Sequence, residues 1–159
     1  MIGEQLCPFA AEPRKQGRVH LVHSPVTELE QALEICAGEV ASLLEHSPTQ
    51  RSTTLIALSG LESYDALLQL LGHLDALLEA ANATGVIQAV GFHPEALFEG
   101  APSTDPANYA ARAPLPVVHL LREDEVAQAI ASHPDPEGIS TRNAERLRTQ
   151  QQSAHWPPF

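Results

Sequence analysis

Residues 53–78 read TTLIALSGLESYDALLQLLGHLDALL, and the change of period inside this stretch decides the fold. Its first six residues, TTLIAL, form an unbroken β-prone run with no polar alternation, the pattern of a strand buried on both faces. Ser59-Gly60-Leu61-Glu62 then has the spacing of a capping box, which would open a helix. Beyond it Tyr64, Leu67, Leu68, Leu71, Leu74, Leu77 and Leu78 recur at three- and four-residue intervals and give a long helix one apolar side. A strand that feeds straight into an amphipathic helix is the first half of a crossover to a parallel strand.

Outward from this unit the same alternation continues. Residues 18–24 (RVHLVHS) alternate as a short strand, with Val19, Leu21 and His23 on one face. Thr27-Glu28-Leu29-Glu30 again fits a capping box, ahead of a helix whose stripe is Leu29, Leu33, Cys36, Val40 and Leu43 or Leu44 and which Pro48 ends. On the other side Gly85 closes the long helix, residues 86–90 (VIQAV) make a third strand, and residues 117–121 (VVHLL) a fourth. An acid-headed helix spans about 124–132, and Asp135-Pro136 caps a last helix bearing Ile139, Asn143 and Leu147. The order β-α-β-α-β-loop-β-α-α predicts one α/β domain over 1–159, with about four strands in a partly parallel sheet, helices packed on it and a long proline-rich loop. Residues 1–17 read as irregular, 94–116 as the long loop, and 153–159 as a mobile tail unless Trp156 docks.

Size and composition fit one core without staples. A chain of 159 residues buries roughly 70% of its unfolded surface, so neither a disulfide nor a metal is required for stability. Aromatic residues are only 4%, which leaves the core to Leu, Val, Ile and Ala. With 20 acidic against 9 basic residues, the net charge of −11 disfavours nucleic acid and anionic membrane, and leaves a small ligand or a basic protein partner. No basic-plus-apolar leader opens the sequence and no apolar run reaches bilayer length, so the expected compartment is cytoplasmic, with Cys7 and Cys36 reduced. A disulfide between these two thiols is possible but nothing requires it.

In open α/β sheets ligands lie beyond the carboxyl ends of strands. Two strand ends run into polar sequence, Val90-Gly91-Phe92-His93-Pro94 and His119-Leu120-Leu121-Arg122-Glu123, so a site is expected between 91 and 123. An irregular stretch of about twenty residues in a compact domain is uncommon and usually functional. The expectation is that it folds as a lid, with His93 and His119 beneath it.

Several of these segments together resemble a known family. They are Cys7-Pro8-Phe9-Ala10, Thr53-Thr54-Leu55, Phe92-His93-Pro94, Asn108-Tyr109 with Arg112, Pro114 and Pro116, His119-Leu120-Leu121-Arg122-Glu123, and Ile139 with Arg142-Asn143. In order and spacing, from Gly3 to about Leu147, they resemble the bacterial and plant domain-of-unknown-function family numbered 1415. That resemblance implies a fold and a candidate site but no reaction. The sequence also departs from the family pattern: Ala111, Ala113 and Leu115 stand where the family has Asn, Ser and Tyr, and Ala96 and Leu97 where it tends to have Tyr and Gln.

Three chemistries follow from the residue types. Cys7, His93 and His119 are donors suited to zinc, although no two stand at a local ligand spacing. Cys7 with His93 or His119 as base would be a nucleophile pair. Arg112 and Arg122 could hold a small anionic ligand by paired hydrogen bonds, or Arg122 could instead pair with Glu95, Asp105 or Glu123 and tether the long loop to the body. The expectation is therefore a small-molecule site, with His93, His119 and Glu123 in acid/base or orienting roles and Asn108, Tyr109, Arg112 and Arg122 as ligand contacts. The competing expectation is a non-catalytic module in which the same residues staple the loop and the acidic surface meets a protein partner. Dinucleotide, P-loop, esterase-elbow and zinc-protease motifs are all missing from the sequence.

Overall fold

The computed structural model describes residues 6–151; the tail at 153–159, with Trp156, lies outside them. The elements are α1 (Ala11–Lys15), β1 (Val19–Ser24), α2 (Leu29–Glu45), β2 (Thr53–Leu58), α3 (Tyr64–Ala80), β3 (Ile87–Phe92), a 3-10 helix (Pro106–Ala110), β4 (Val117–Arg122), α4 (Glu123–Ser132) and α5 (Ile139–Gln150). The strands form one mixed sheet in the order β1-β2-β4-β3 within a single α/β domain. Two segments read as irregular carry short helices, α1 near the amino end and the 3-10 helix in the long loop.

The core lies between one face of the sheet and the helices α2 and α3. Ala32, Cys36, Val40 and Leu43 of α2 and Leu67, Leu70, Leu74 and Leu78 of α3 are buried with Ile56, Leu58, Ile87, Val118 and Leu120 of the sheet. The buried stripe of α3 is rotated from the sequence expectation: Leu70 is fully buried, while Leu68 is exposed. Gly91 permits the close approach of this helix, since a Cβ there would lie 2.6 Å from Leu71 Cδ1. The caps also shift. Glu28 is the N-cap of α2 without a side-chain bond, and Ser63, not Ser59, caps α3 by accepting from Ala66 N–H at 3.3 Å.

Strand polarity matters most for the site. β1 and β2 are parallel, whereas β4 runs antiparallel to both β2 and β3. The carboxyl ends of β1, β2 and β3 therefore share one sheet edge with the start of β4. Phe92 pairs with Val117 and Ile87 pairs with Arg122, so Arg122 and Glu123 lie at the opposite edge. At about 3.4 Å per residue the two edges are roughly 17 Å apart. The two polar strand ends do not meet.

Candidate functional site

At the first edge His93 is fixed through both ring nitrogens. Nδ1 accepts from Glu95 N–H at 3.1 Å, which leaves Nε2 to carry the proton and donate to Glu62 O at 3.0 Å. The ring is 2% exposed and packs on Tyr64 with centroids 5.2 Å apart. The loop after it is tied to itself. Asn108, fully buried, accepts from Phe98 N–H at 3.0 Å and donates to Pro102 O at 2.9 Å. Arg112 donates to Ala96 O and Ser103 O at 3.0 and 3.2 Å, and its guanidinium lies 5.0 Å from the Tyr109 ring centre. Asp105 caps the 3-10 helix through Ala107 N–H and takes a paired bond from Arg148 of α5, which holds its carboxyl below the usual range. The loop is thus docked on α5.

The other edge is built around Arg122. Its side chain donates to Arg51 O, at 3.2 Å, and to Leu43 O and His46 O. The last two are carbonyls at the carboxyl end of α2, where the helix dipole is negative and acceptors lack internal partners. Arg122 is 8% exposed and pairs with none of Glu95, Asp105 or Glu123. Glu123 turns elsewhere and accepts from Gly85 N–H at 3.2 Å. Arg122 is a helix C-cap, and its guanidinium is occupied by backbone.

His119 sits between these edges, in mid-strand. The register sets it beside Leu55 and Val90, on the sheet face opposite Ile56 and Leu120. Thr53 Oγ1 donates to Leu120 O at 2.6 Å and therefore accepts from His119 Nε2–H, also at 2.6 Å. Burial of the imidazolium lowers the His119 pKa to about 4. Cys7 lies elsewhere again, and among the described residues no group of three or more His, Cys, Asp or Glu could hold a metal ion. The proposed zinc set of Cys7, His93 and His119 does not assemble: His119 lies on the sheet face away from the core, whereas His93 packs on Tyr64 at the start of α3 and is bonded to Glu62 O and Glu95 N–H. Cys7 and Cys36 are both free thiols.

The structure instead brings the two ends of the described chain together around a cleft. A cavity of about 520 Å³ is lined by Cys7, Pro8 and Ala11 on one side and by His133, Ile139, Arg142, Asn143 and Arg146 on the other. This volume lies in the ordinary range for small-ligand pockets. The four α5 residues stand at i, i+3, i+4 and i+7, so one face of that helix forms the wall. Asn143 Nδ2 donates to Leu6 O at 2.6 Å and pins the segment carrying Cys7. His133 Nδ1 accepts from Asp135 N–H at 3.1 Å, which puts the neutral ring's proton on Nε2, and Phe9 packs edge-on against the ring at 5.9 Å. Arg142 is held by the Asp135 carboxylate and, at 2.9 Å, by its backbone carbonyl. This pairing and the Gly138 N–H keep the Asp135 carboxyl below its usual range.

Sequence reasoning placed Ile139, Asn143 and Leu147 on the last helix and Arg142-Asn143 in a family-like motif, and did not single out His133, Arg142 and Arg146 as a group. The available signal was the spacing of Ile139, Arg142, Asn143 and Arg146, a polar stripe beside the apolar one on the same helix. Three of the nine basic residues of the chain, Arg142, Arg146 and Arg148, lie on α5.

Fold and cleft together define a single mixed-sheet α/β domain with a recess between its amino-terminal segment and its last helix. The chain belongs to the family described as protein of unknown function (DUF1415), which matches residues 1–156. No curated protein and no solved structure matches it. Among the described residues no helix is long and apolar enough to cross a membrane.

Proposed function

We propose that this protein binds a small organic anion in the cleft between Cys7 and α5, and that the polar residues from His93 to Glu123 serve the scaffold. The observation that carries the reading is the donor character of the lining. Arginine has no acceptor, and His133 offers Nε2–H because Nδ1 is spent on Asp135 N–H. Asn143 has its amide committed to Leu6 O. A recess with Arg142, Arg146 and the His133 N–H selects a ligand rich in acceptors, such as a carboxylate or a phosphate monoester. Asp135 offsets part of the charge of Arg142 and fixes its position, which favours a pre-formed site over a loose one. On a surface of net charge −11, the cationic face of α5 is also the place where an anion escapes general repulsion. The same reading keeps the protein in the cytoplasm and away from nucleic acid and membrane.

Thermal unfolding with citrate, inorganic phosphate or sodium chloride at matched ionic strength tests this. Citrate or phosphate at about a hundred times its dissociation constant should add about 2.7 kcal/mol of apparent stability. Arg146→Gln should reduce that gain markedly. The proposal fails when neither anion exceeds sodium chloride, or when Arg146→Gln and wild type respond alike.

A further inference from the structure

The two edges of the sheet are finished differently. At the β3 edge Glu123 N–H donates to Val86 O at 3.0 Å, and the register with β4 then turns the backbone of Ile87, Ala89 and Gly91 outward. The chain itself closes both ends of that edge: Ile87 N–H donates to Ala83 O at 3.0 Å, and His93 N–H to Ala111 O at 3.4 Å. At the other edge, Ser59 N–H donates to Ser24 O at 3.0 Å, and the unbroken register with β2 gives His20 and Val22 the same inward direction. The N–H and C=O groups of Val19, Leu21 and His23 therefore point away from the sheet, and no backbone group among the described residues pairs with them. Leu21, midway along the strand, is 71% exposed. Edge strands are ordinarily blunted by Lys, Pro or a bulge, and VHLVHS carries none of these.

We propose that β1 pairs antiparallel with β1 of a second copy of this chain, Leu21 against Leu21 on a two-fold axis. The strand's own pattern sets the register. With Leu21 on the axis, Val19 stands opposite the partner's His23, and each outward residue exchanges both backbone bonds with its opposite, so every outward amide and carbonyl of β1 is used. An axis through Val22 sets Val19 against the partner's Pro25, which has no N–H, and an axis through His20 sets His23 against the partner's Gly17, outside the strand. A strand complementary to itself in this way makes an isologous contact that closes at two copies. Val22 packs on the core, so Leu21 stands on the other face, where the two Leu21 side chains cover each other. Charge permits the contact although each copy carries −11: residues 19–24 hold no carboxylate, and Glu39, 3.6 Å from His20, is held by Arg51 at 3.3 Å. The contact is small, so the dimer forms with rising concentration.

Sedimentation equilibrium of the full chain from about 5 to about 500 µM tests this, with amide hydrogen exchange read at both ends of the range. Wild type should pass from monomer to dimer, and the amides of Val19, Leu21 and His23 should exchange more slowly in the concentrated sample. Leu21→Lys sets two cations against each other on the axis and should weaken association at least ~10-fold. Leu21→Pro deletes an outward amide that bonds nothing within one copy, and should weaken it as much. Circular dichroism and the urea midpoint of dilute samples establish that both variants fold. Three results would overturn the proposal: a dimer that survives in both folded variants, protection that appears elsewhere than in β1, or assembly beyond two copies. A wild type that stays monomeric throughout also overturns it, and leaves the edge to an extended segment of a different protein.

Discussion

Replacing Arg122 by Met removes the guanidinium while keeping a long aliphatic stem, so the effect isolates the polar contacts from the packing. Three carbonyls, of Leu43, His46 and Arg51, lose their donor. An acceptor left unpaired in a buried setting costs about 1–3 kcal/mol, and two of these lie at the end of α2, Leu43 O buried and His46 O part-buried, where the helix supplies no amide to replace the lost donor. Against this, the variant no longer buries a cation without a carboxylate, which recovers part of the desolvation penalty. The net expectation is a loss of about 3 kcal/mol, or ~6–12 °C in Tm for a domain of this size. Arg122→Lys keeps the charge but presents a point donor in place of a fork, and it should lose about half as much. Urea unfolding followed by circular dichroism reads this as a fall in the midpoint at unchanged slope. Added salt should leave the difference between the proteins nearly unaltered, because the contacts are buried. A change below about 0.5 kcal/mol for Arg122→Met, the range of ordinary surface substitutions, would refute the C-cap assignment. So would an Arg122→Lys protein as stable as wild type.

Thr54 is fully buried on the core face of β2 and its hydroxyl has no hydrogen-bond partner. Thr54→Val, nearly the same shape, should stabilise by about 1 kcal/mol in the same urea assay; destabilisation would mean the hydroxyl has a partner after all. His119 makes stability depend on pH in a definite direction. The unfolded chain takes up a proton near 6.5 while the folded chain resists to about 4, so stability is complete above 6.5 and falls as pH drops through that interval. At 1.36 kcal/mol per unit the loss is about 3 kcal/mol relative to His119→Gln, read from urea midpoints across the range, and parallel profiles for the two proteins would refute it.

Much of the fold was legible because it rests on local periods. TTLIAL and VVHLL read as strands, and the leucine spacing gave α3 its extent, since neither signal needs knowledge of the partner. Strand direction is a tertiary property. Nothing in residues 94–116 states whether β4 enters the sheet parallel or antiparallel, yet that choice moves Arg122 and Glu123 about 17 Å from His93. Arg122 and Glu123 do not join His93 for this reason, and Asn108 and Tyr109, read as loop, stand in a 3-10 helix. The cleft was illegible for a related reason: Cys7 and Arg146 are separated by almost the whole chain, and only the packing of α5 against the 3-10 helix loop carries that helix back toward the amino-terminal segment.

The arginine usage of the chain sharpens the distinction between scaffold and site. Of nine basic residues, Arg112 and Arg122 are spent on backbone carbonyls, while Arg18 and Arg51 meet Glu125 and Glu39. A protein this acidic gains little from isolated surface pairs, which are worth under about 1 kcal/mol each. It gains more from guanidinium forks that satisfy several carbonyls at once, because unpaired buried carbonyls are the dearer defect. On α5 carboxylates are again the partners of two arginines. Arg148 ties the loop down through Asp105, Arg142 is set by Asp135, and Arg146 stands with them on a cleft wall opposite the partly exposed Cys7. The anion-binding proposal therefore rests on where Arg142 and Arg146 stand, on one wall of a cleft opposite Cys7 in a chain of net charge −11, and the citrate and phosphate titration decides it.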